Sequence, residues 1–251
     1  MKMNDQQKLI REHHPEVIKE RLNRLKQPNL ISDAVLGGID GCVTTFAVVS
    51  GALGAGFSSS VALVLGFANL IADGFSMAVS NYESIKAQQD FTESVRLAEQ
   101  EHIEKIPVGE KEEIRQIFQK KGFAGDILDK IVETIISDKN LWIDTMLTEE
   151  HGLQQNNLNP FKSGVATFTA FIFVGTIPLL PFLVPHLHMQ SQFIISACLA
   201  GMMFFMIGAL KSHLFSKPVF SSGIKTLLTG GIAASLAFIT GYILRVVFDI
   251  T

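Results

Sequence analysis

Apolar residues in this chain gather into long, nearly uninterrupted runs and do not recur at the amphipathic period of a helix that lies against a soluble core. A hydrocarbon layer of about 30 Å needs about 20 mainly apolar residues at about 1.5 Å of rise each. Five runs reach that length: approximately Ala34 to Phe57, Val61 to Tyr82, Ser163 to Pro185, Met189 to Leu210 and Thr226 to Leu244. The third and fourth contain no Asp, Glu, Lys or Arg, and the fifth none before Arg245. The pattern predicts an all-α integral membrane protein with five transmembrane helices.

Between the second and third runs the pattern changes. From Glu83 to Phe161 acidic and basic residues interleave with apolar ones at helical spacing, which predicts a small helical domain outside the membrane. A first helix should continue out of the second span and stop by Pro107, which cannot sit inside a helix without losing a backbone bond. A second is expected from about Val108 to Lys121, closed by Gly122 as a C-cap. A third is expected from about Ala124 to Ser137, with Ile127, Leu128, Ile131, Val132 and Ile135 on one side. A fourth should run from about Leu141 to His151, followed by a polar linker over Gln154 to Asn159. The expected organisation is an arm over residues 1–32, two spans over 33–82, the helical domain over 83–161 and three spans over 162–251.

Charge fixes the expected orientation. Lys and Arg concentrate in the arm (Arg21, Arg24, Lys26), in the helical domain, and between the fourth and fifth spans (Lys211, Lys217, Lys225), whereas the links Gly54 to Ser60 and His186 to Gln190 have none. The positive-inside rule then puts the N-terminus and the helical domain in the cytosol and Thr251 on the far side. The first thirty residues are charged and hold no continuous apolar core, so no cleavable signal peptide is expected. Cys42 and Cys198 lie in different spans without metal-ligand spacing and are expected as buried apolar thiols.

Acids inside spans are costly and therefore informative. The first span carries Asp40 in DGCVTTFAVVSG, with Thr44 one turn on and Asp33 seven residues earlier. Asp40 suits a cation site or, alternatively, a helix-helix hydrogen bond; Asp33 suits a pore mouth or a helix N-terminus. The second span places Asn69, Asp73, Ser76 and Met77 near one face, because residues three, four and seven apart are neighbours on a helix. Oxygen donors beside a thioether suit a transition metal such as ferrous iron better than magnesium or calcium, though a lone Met in a span is most often packing. In the helical domain, Glu99, Glu101, His102 and Glu104 precede Pro107, Glu110, Glu112 and Glu113 follow it, and Glu149, Glu150 and His151 close the fourth helix. Such groups on facing helices can bracket metal ions. The alternative is a solvated face with intrahelical ion pairs to Lys105, Lys111 and Arg115.

Taken together, DAVLGGIDGCVTTFAVVSGALGA, ADGFSMAVSNY, the Glu-rich stretch around Pro107, WIDTMLTEEHGL, IPLLP and GGIAAS resemble, in order along nearly the whole chain after residue 30, the vacuolar iron transporter family. The resemblance implies a homodimer of five-span subunits with a path at the dimer interface lined by the first spans, a cytosolic helical metal-binding domain, and proton-coupled export of ferrous iron or similar divalent cations. It gives Asp40 the position of the pore acid and Met77 that of the pore thioether. It matches Glu110 and Glu113 to the glutamate pair after the proline, and Met146 and Glu150 to the fourth-helix Met and Glu. The pair before the proline falls on Glu99 and His102 by direct counting and on Glu101 and Glu104 with one gap. Asn69 stands where many members carry a glutamate, with Asp73 one turn further as a substitute, and Leu147 replaces the second Met of a Met-Met pair.

The expected function is a secondary transporter, not an enzyme, that holds no cofactor. Its cargo would be ferrous iron or, by overlap of ligand preferences, manganese, cobalt, nickel or zinc. Its partners would be these ions, protons, the bilayer and a second copy of the chain, with no nucleic acid. A bacterial inner membrane or an organelle such as a vacuole would house it. A membrane-anchored di-iron carboxylate oxidase would need two Glu-x-x-His helices, and the sequence has one, at Glu99 and His102. A non-transporting scaffold would leave Asp40 and Met77 without a role.

Overall fold

The structure, a computed structural model, describes residues 9–23, 30–154, 158–215 and 218–249. Arg24, Lys26, Lys217 and Thr251, which enter the orientation argument, and residues 155–157 of the linker lie outside the described residues. The described residues form helices and no strands. The helices are α1 (Pro15–Asn23), α2 (Ile31–Gly54), α3 (Ser59–Lys105), α4 (Pro107–Lys120), α5 (Gly125–Ile136), α6 (Lys139–Glu149), α7 (Pro160–Thr176), a 3-10 segment (Ile177–Leu183), α8 (Met189–Phe215) and α9 (Val219–Phe248). Five of these units are long and apolar enough to cross a membrane: α2, the first part of α3, α7 with its 3-10 extension, α8 and α9.

Helix α2 is the central span, packed against all the others. Small residues let the backbones close up, as membrane helices require when no hydrophobic force drives them together. A Cβ on Gly41 would stand 2.4 Å from the carbonyl oxygen of Phe171 in α7, and one on Gly241 of α9 would stand 2.2 Å from that of Gly51. Both contacts exclude any side chain, so α2 is clamped between α7 and α9.

Ser58 caps α3, its hydroxyl accepting from the Val61 amide at 3.4 Å. The helix then runs 47 residues without a proline, about 70 Å at the usual rise, and carries its last turns well beyond any bilayer. It stops where expected, since Pro107 opens α4 at its first position. The third span differs from a plain helix: Pro178 and Pro181 remove two backbone donors, and the chain tightens into the 3-10 segment from Ile177.

Outside the spans, α4, α5 and α6 pack on the end of α3. Their core holds Ile103, Ile114, Leu128, Val132, Trp142 and Met146. Ile127, expected on the buried side of α5, is exposed; Leu128, Val132 and Ile135, at helical spacing, take that side instead. Cys42 is buried as expected, but Cys198 is exposed, because it lies on the face of α8 turned away from the bundle.

Candidate metal centre

Three helix ends of the extramembrane domain converge on one group of side chains. Glu99 and His102 lie three residues apart on the last turns of α3 and therefore share a face. The break at Ile106 and Pro107 folds α4 back, so that Glu110, in its first turn, meets His102 with Oε1 3.5 Å from Nδ1. Helix α6 is started by Asp138, whose carboxylate accepts from the amides of Asn140 and Leu141, and is tied to α3 by the Arg96–Asp144 ion pair. Its end delivers Glu150 and His151, both with backbone amides bonded to the Met146 carbonyl. His151 Nε2 lies 3.1 Å from Glu99 Oε1 and 3.6 Å from Glu150 Oε2.

The carboxylates form the floor of this group and the imidazoles its rim. Glu99 and Glu110 are only 3% and 2% exposed, and each keeps one oxygen, Oε2, buried without a hydrogen-bond partner. Such a group in a protein interior costs free energy unless a proton or a cation meets it. Burial, with the neighbouring charges of Glu113 and Glu99 adding to it, pushes the Glu110 carboxyl up to about 7, against a smaller opposing effect of His102. Burial and then Glu113 likewise raise Glu150. Two sets of donors, Glu99 with His102 and Glu110, and Glu99 with Glu150 and His151, have their ligand atoms within 4.8 Å of one another. Carboxylate oxygens with imidazole nitrogen suit first-row divalent ions.

The other acidic residues point elsewhere. Glu101 pairs with Lys105. Glu104 accepts from Lys139 at 2.5 Å and from the Gln100 amide at 3.3 Å, and the Lys139 hydrogen bond lowers its carboxyl below the usual range. Glu149 pairs with Lys121 at 2.5 Å. Of the two registers open before Pro107, the geometry brings Glu99 and His102 into the cluster and leaves Glu101 and Glu104 on its outside. Glu113 reaches it through its charge, from an exposed position on α4. Met146 is fully buried in the hydrophobic core. His151 is one of the groups expected to bracket a metal ion, though the family resemblance matches no ligand to it. Its place beside Glu150 at a helix end was the available signal, but spacing does not reveal that this end abuts Glu99, 52 residues away.

A second polar group lies among the spans. Asp40 is half-buried on α2, which packs against α3, whose membrane part carries Asp73. Thr44 donates its hydroxyl to the Asp40 backbone carbonyl at 2.8 Å, so it offers only lone pairs to an ion. On α3, Asn69 has a buried amide nitrogen without a partner one turn before Asp73, and Met77, one turn after, packs partly against the cluster containing Leu70 and Phe171. Asp33 is the helix-terminal acid of the two expected roles, in the first turn of α2. There it is buried and accepts from the Asn81 amide at 3.0 Å, while the same amide nitrogen donates to Thr167 at 2.8 Å. Its carboxylate turns into the junction of α2, α3 and α7, because a buried acid needs a donor and Asn81 supplies one.

Comparison with known proteins agrees with this layout. The vacuolar iron transporter of Toxoplasma gondii is 32% identical over 226 residues, covering 86% of this chain and 75% of that protein. The vacuolar iron transporter of Plasmodium berghei is 29% identical over 250 residues, covering 96% and 92%. Vacuolar iron transporter 1 of Arabidopsis thaliana is 29% identical over 213 residues, covering 83% and 84%. The sequence profile of the VIT family matches residues 31–242, which takes in four spans, most of the fifth and both polar groups, and the chain belongs to that family.

Proposed function

We propose that the protein is a proton-coupled secondary transporter that exports ferrous iron, with manganese or other divalent ions as further cargo, from the cytosol. The observation that carries the reading is the orphaned, buried carboxylate pair Glu99 and Glu110 with two imidazoles above it, Glu99 and His102 standing on the same helix whose membrane part holds Asp73 and Met77. The names of the relatives, vacuolar iron transporter in each case, support the choice of cargo.

In this reading the cluster collects the ion at the cytosolic face. Glu110 binds once its proton leaves, and the ion offsets the cost of ionising it in a buried place. The ion then passes to Asp40, Asp73 and Met77. A carboxylate in a low-dielectric span must be neutralised by a proton or by a cation, so occupancy by one excludes the other, and that exclusion couples the two fluxes. Two copies of the chain complete the path along the α2 face that bears Asp40 and Thr44. The N-terminus and the extramembrane domain face the cytosol, and a bacterial inner membrane or a vacuolar membrane houses the dimer.

Metal uptake into proteoliposomes with an imposed pH gradient tests the proposal. Ferrous iron should accumulate only when the gradient is present, and should move protons the opposite way. Uptake indifferent to the gradient would remove the coupling.

A further inference from the structure

We infer that His102 and His151 set the metal preference of the centre, making the Glu99 cluster discriminate against manganese and in favour of later divalent ions such as nickel and zinc, with iron between. The inference rests on the proposed function in one respect: the ions compared are those offered to the transporter as cargo.

An all-carboxylate cage suits magnesium, calcium and manganese, whereas imidazole suits iron, nickel, copper and zinc. Each of the two donor sets built around Glu99 contains one imidazole, His102 in one and His151 in the other. Whichever set an ion occupies, one nitrogen therefore stands among its donors. The imidazoles are not loosely placed. His102 Nδ1 lies 3.8 Å from Glu99 Oε1 and 3.5 Å from Glu110 Oε1, and His151 Nε2 lies 3.1 Å from the same Glu99 oxygen. The unpartnered Oε2 atoms of Glu99 and Glu110 provide an independent reason to place a ligand there, since both side chains are almost wholly buried and nothing of the protein satisfies those atoms.

The competing role for the two histidines is that of counter-ions, protonated to offset the glutamates. The two roles separate in measurement. A counter-ion changes affinity for every divalent ion by a similar factor, because it acts through charge alone. A ligand changes affinity unequally, because nitrogen donation benefits nickel and zinc more than manganese.

The test uses the full-length protein in detergent and reads the ratio of nickel to manganese affinity by competition titration, with the visible spectrum of bound cobalt as a second signal. In H102E/H151E the nickel-to-manganese ratio should fall by at least about tenfold, and the cobalt bands should move toward those of an oxygen-only site. Retained manganese binding, together with unchanged fluorescence of Trp142, the single tryptophan of the sequence and a core residue of this domain, shows that the variant is folded. Should the double variant fail to fold, H102Q and H151Q are read in the same way, each lowering nickel affinity more than manganese affinity. A ratio and a cobalt spectrum unchanged by these substitutions would overturn the inference. Asp40-dependent flux, measured on the same preparations in vesicles, separates the two readings. Persisting flux with an unchanged ratio removes the metal preference alone, and lost coupling with a lowered ratio removes the transport mechanism alone.

Discussion

His151 Nε2 and Glu99 Oε1 meet at 3.1 Å although 52 residues separate them. The contact joins the end of α6 to the last turns of α3 and closes a cluster that neither helix could make alone. Its glutamates behave unlike surface acids, and the first expectation follows from that.

Burial, with the charges of Glu113 and Glu99, pushes the Glu110 carboxyl up to about 7 from an ordinary 4.5. The unfolded chain therefore releases this proton first, so the stability of the metal-free domain falls as pH rises from about 4.5 to 7 and is level above, by roughly 3 kcal/mol for this one group. Metal affinity should run the other way, rising from pH 6 to pH 8 as the proton no longer competes. Glu110→Gln should flatten both curves, and Trp142 fluorescence followed through thermal unfolding with and without metal reads them directly.

Asp40→Asn keeps the size of the side chain and removes the charge that metal and proton share. Uptake into vesicles should drop to the level of protein-free controls while the variant elutes as the wild type does. Met77→Leu should keep coupling and alter the ranking of metals, because a soft donor is lost and a carboxylate is not. Wild-type flux in Asp40→Asn would remove the central step of the mechanism.

Changing Glu110 and Glu113 together to Gln should reduce flux at low ferrous concentration and spare it at saturating concentration. The span residues Asp40, Asp73 and Met77 are untouched by the change, so only collection of the ion suffers. Equal ferrous binding by the full-length protein before and after the change would show that neither glutamate holds the ion.

Asn81→Ala deprives the buried Asp33 carboxylate of its amide donor. An unsatisfied buried acceptor costs about 1–3 kcal/mol, and more when charged, so the full-length protein should unfold at a lower temperature. Asp33→Asn should cost less, since its amide oxygen can still accept from Asn81. If both variants melted with the wild type, the junction of α2, α3 and α7 would owe nothing to this contact.

The five spans were legible in the sequence because bilayer thickness imposes a length that few soluble segments satisfy. The unbroken passage of α3 into the extramembrane domain and its stop before Pro107 were legible for an equally local reason. What stayed open depended on contacts between distant elements. Glu99 and Glu101 differ by about 200° around α3, and only the fold-back of α4 decides which of them faces Glu110. The partner of Asp33 is 48 residues away and that of Glu99 is 52 away, and no periodicity relates such pairs. Cys198 looked like any small apolar residue of a buried span, yet its side of α8 is the one the bundle leaves uncovered.

The 47 residues of α3 also act as a gear shaft. Asp73 and Glu99 sit on it about 40 Å apart, with no hinge between them, so their angular relation is fixed by residue count. One residue inserted after Lys86 would turn the centre by about 100° relative to the spans and lift it about 1.5 Å, whereas seven would restore its facing almost completely, two turns farther out. The number of residues between the two polar groups is thus a specification as strict as the identity of any ligand.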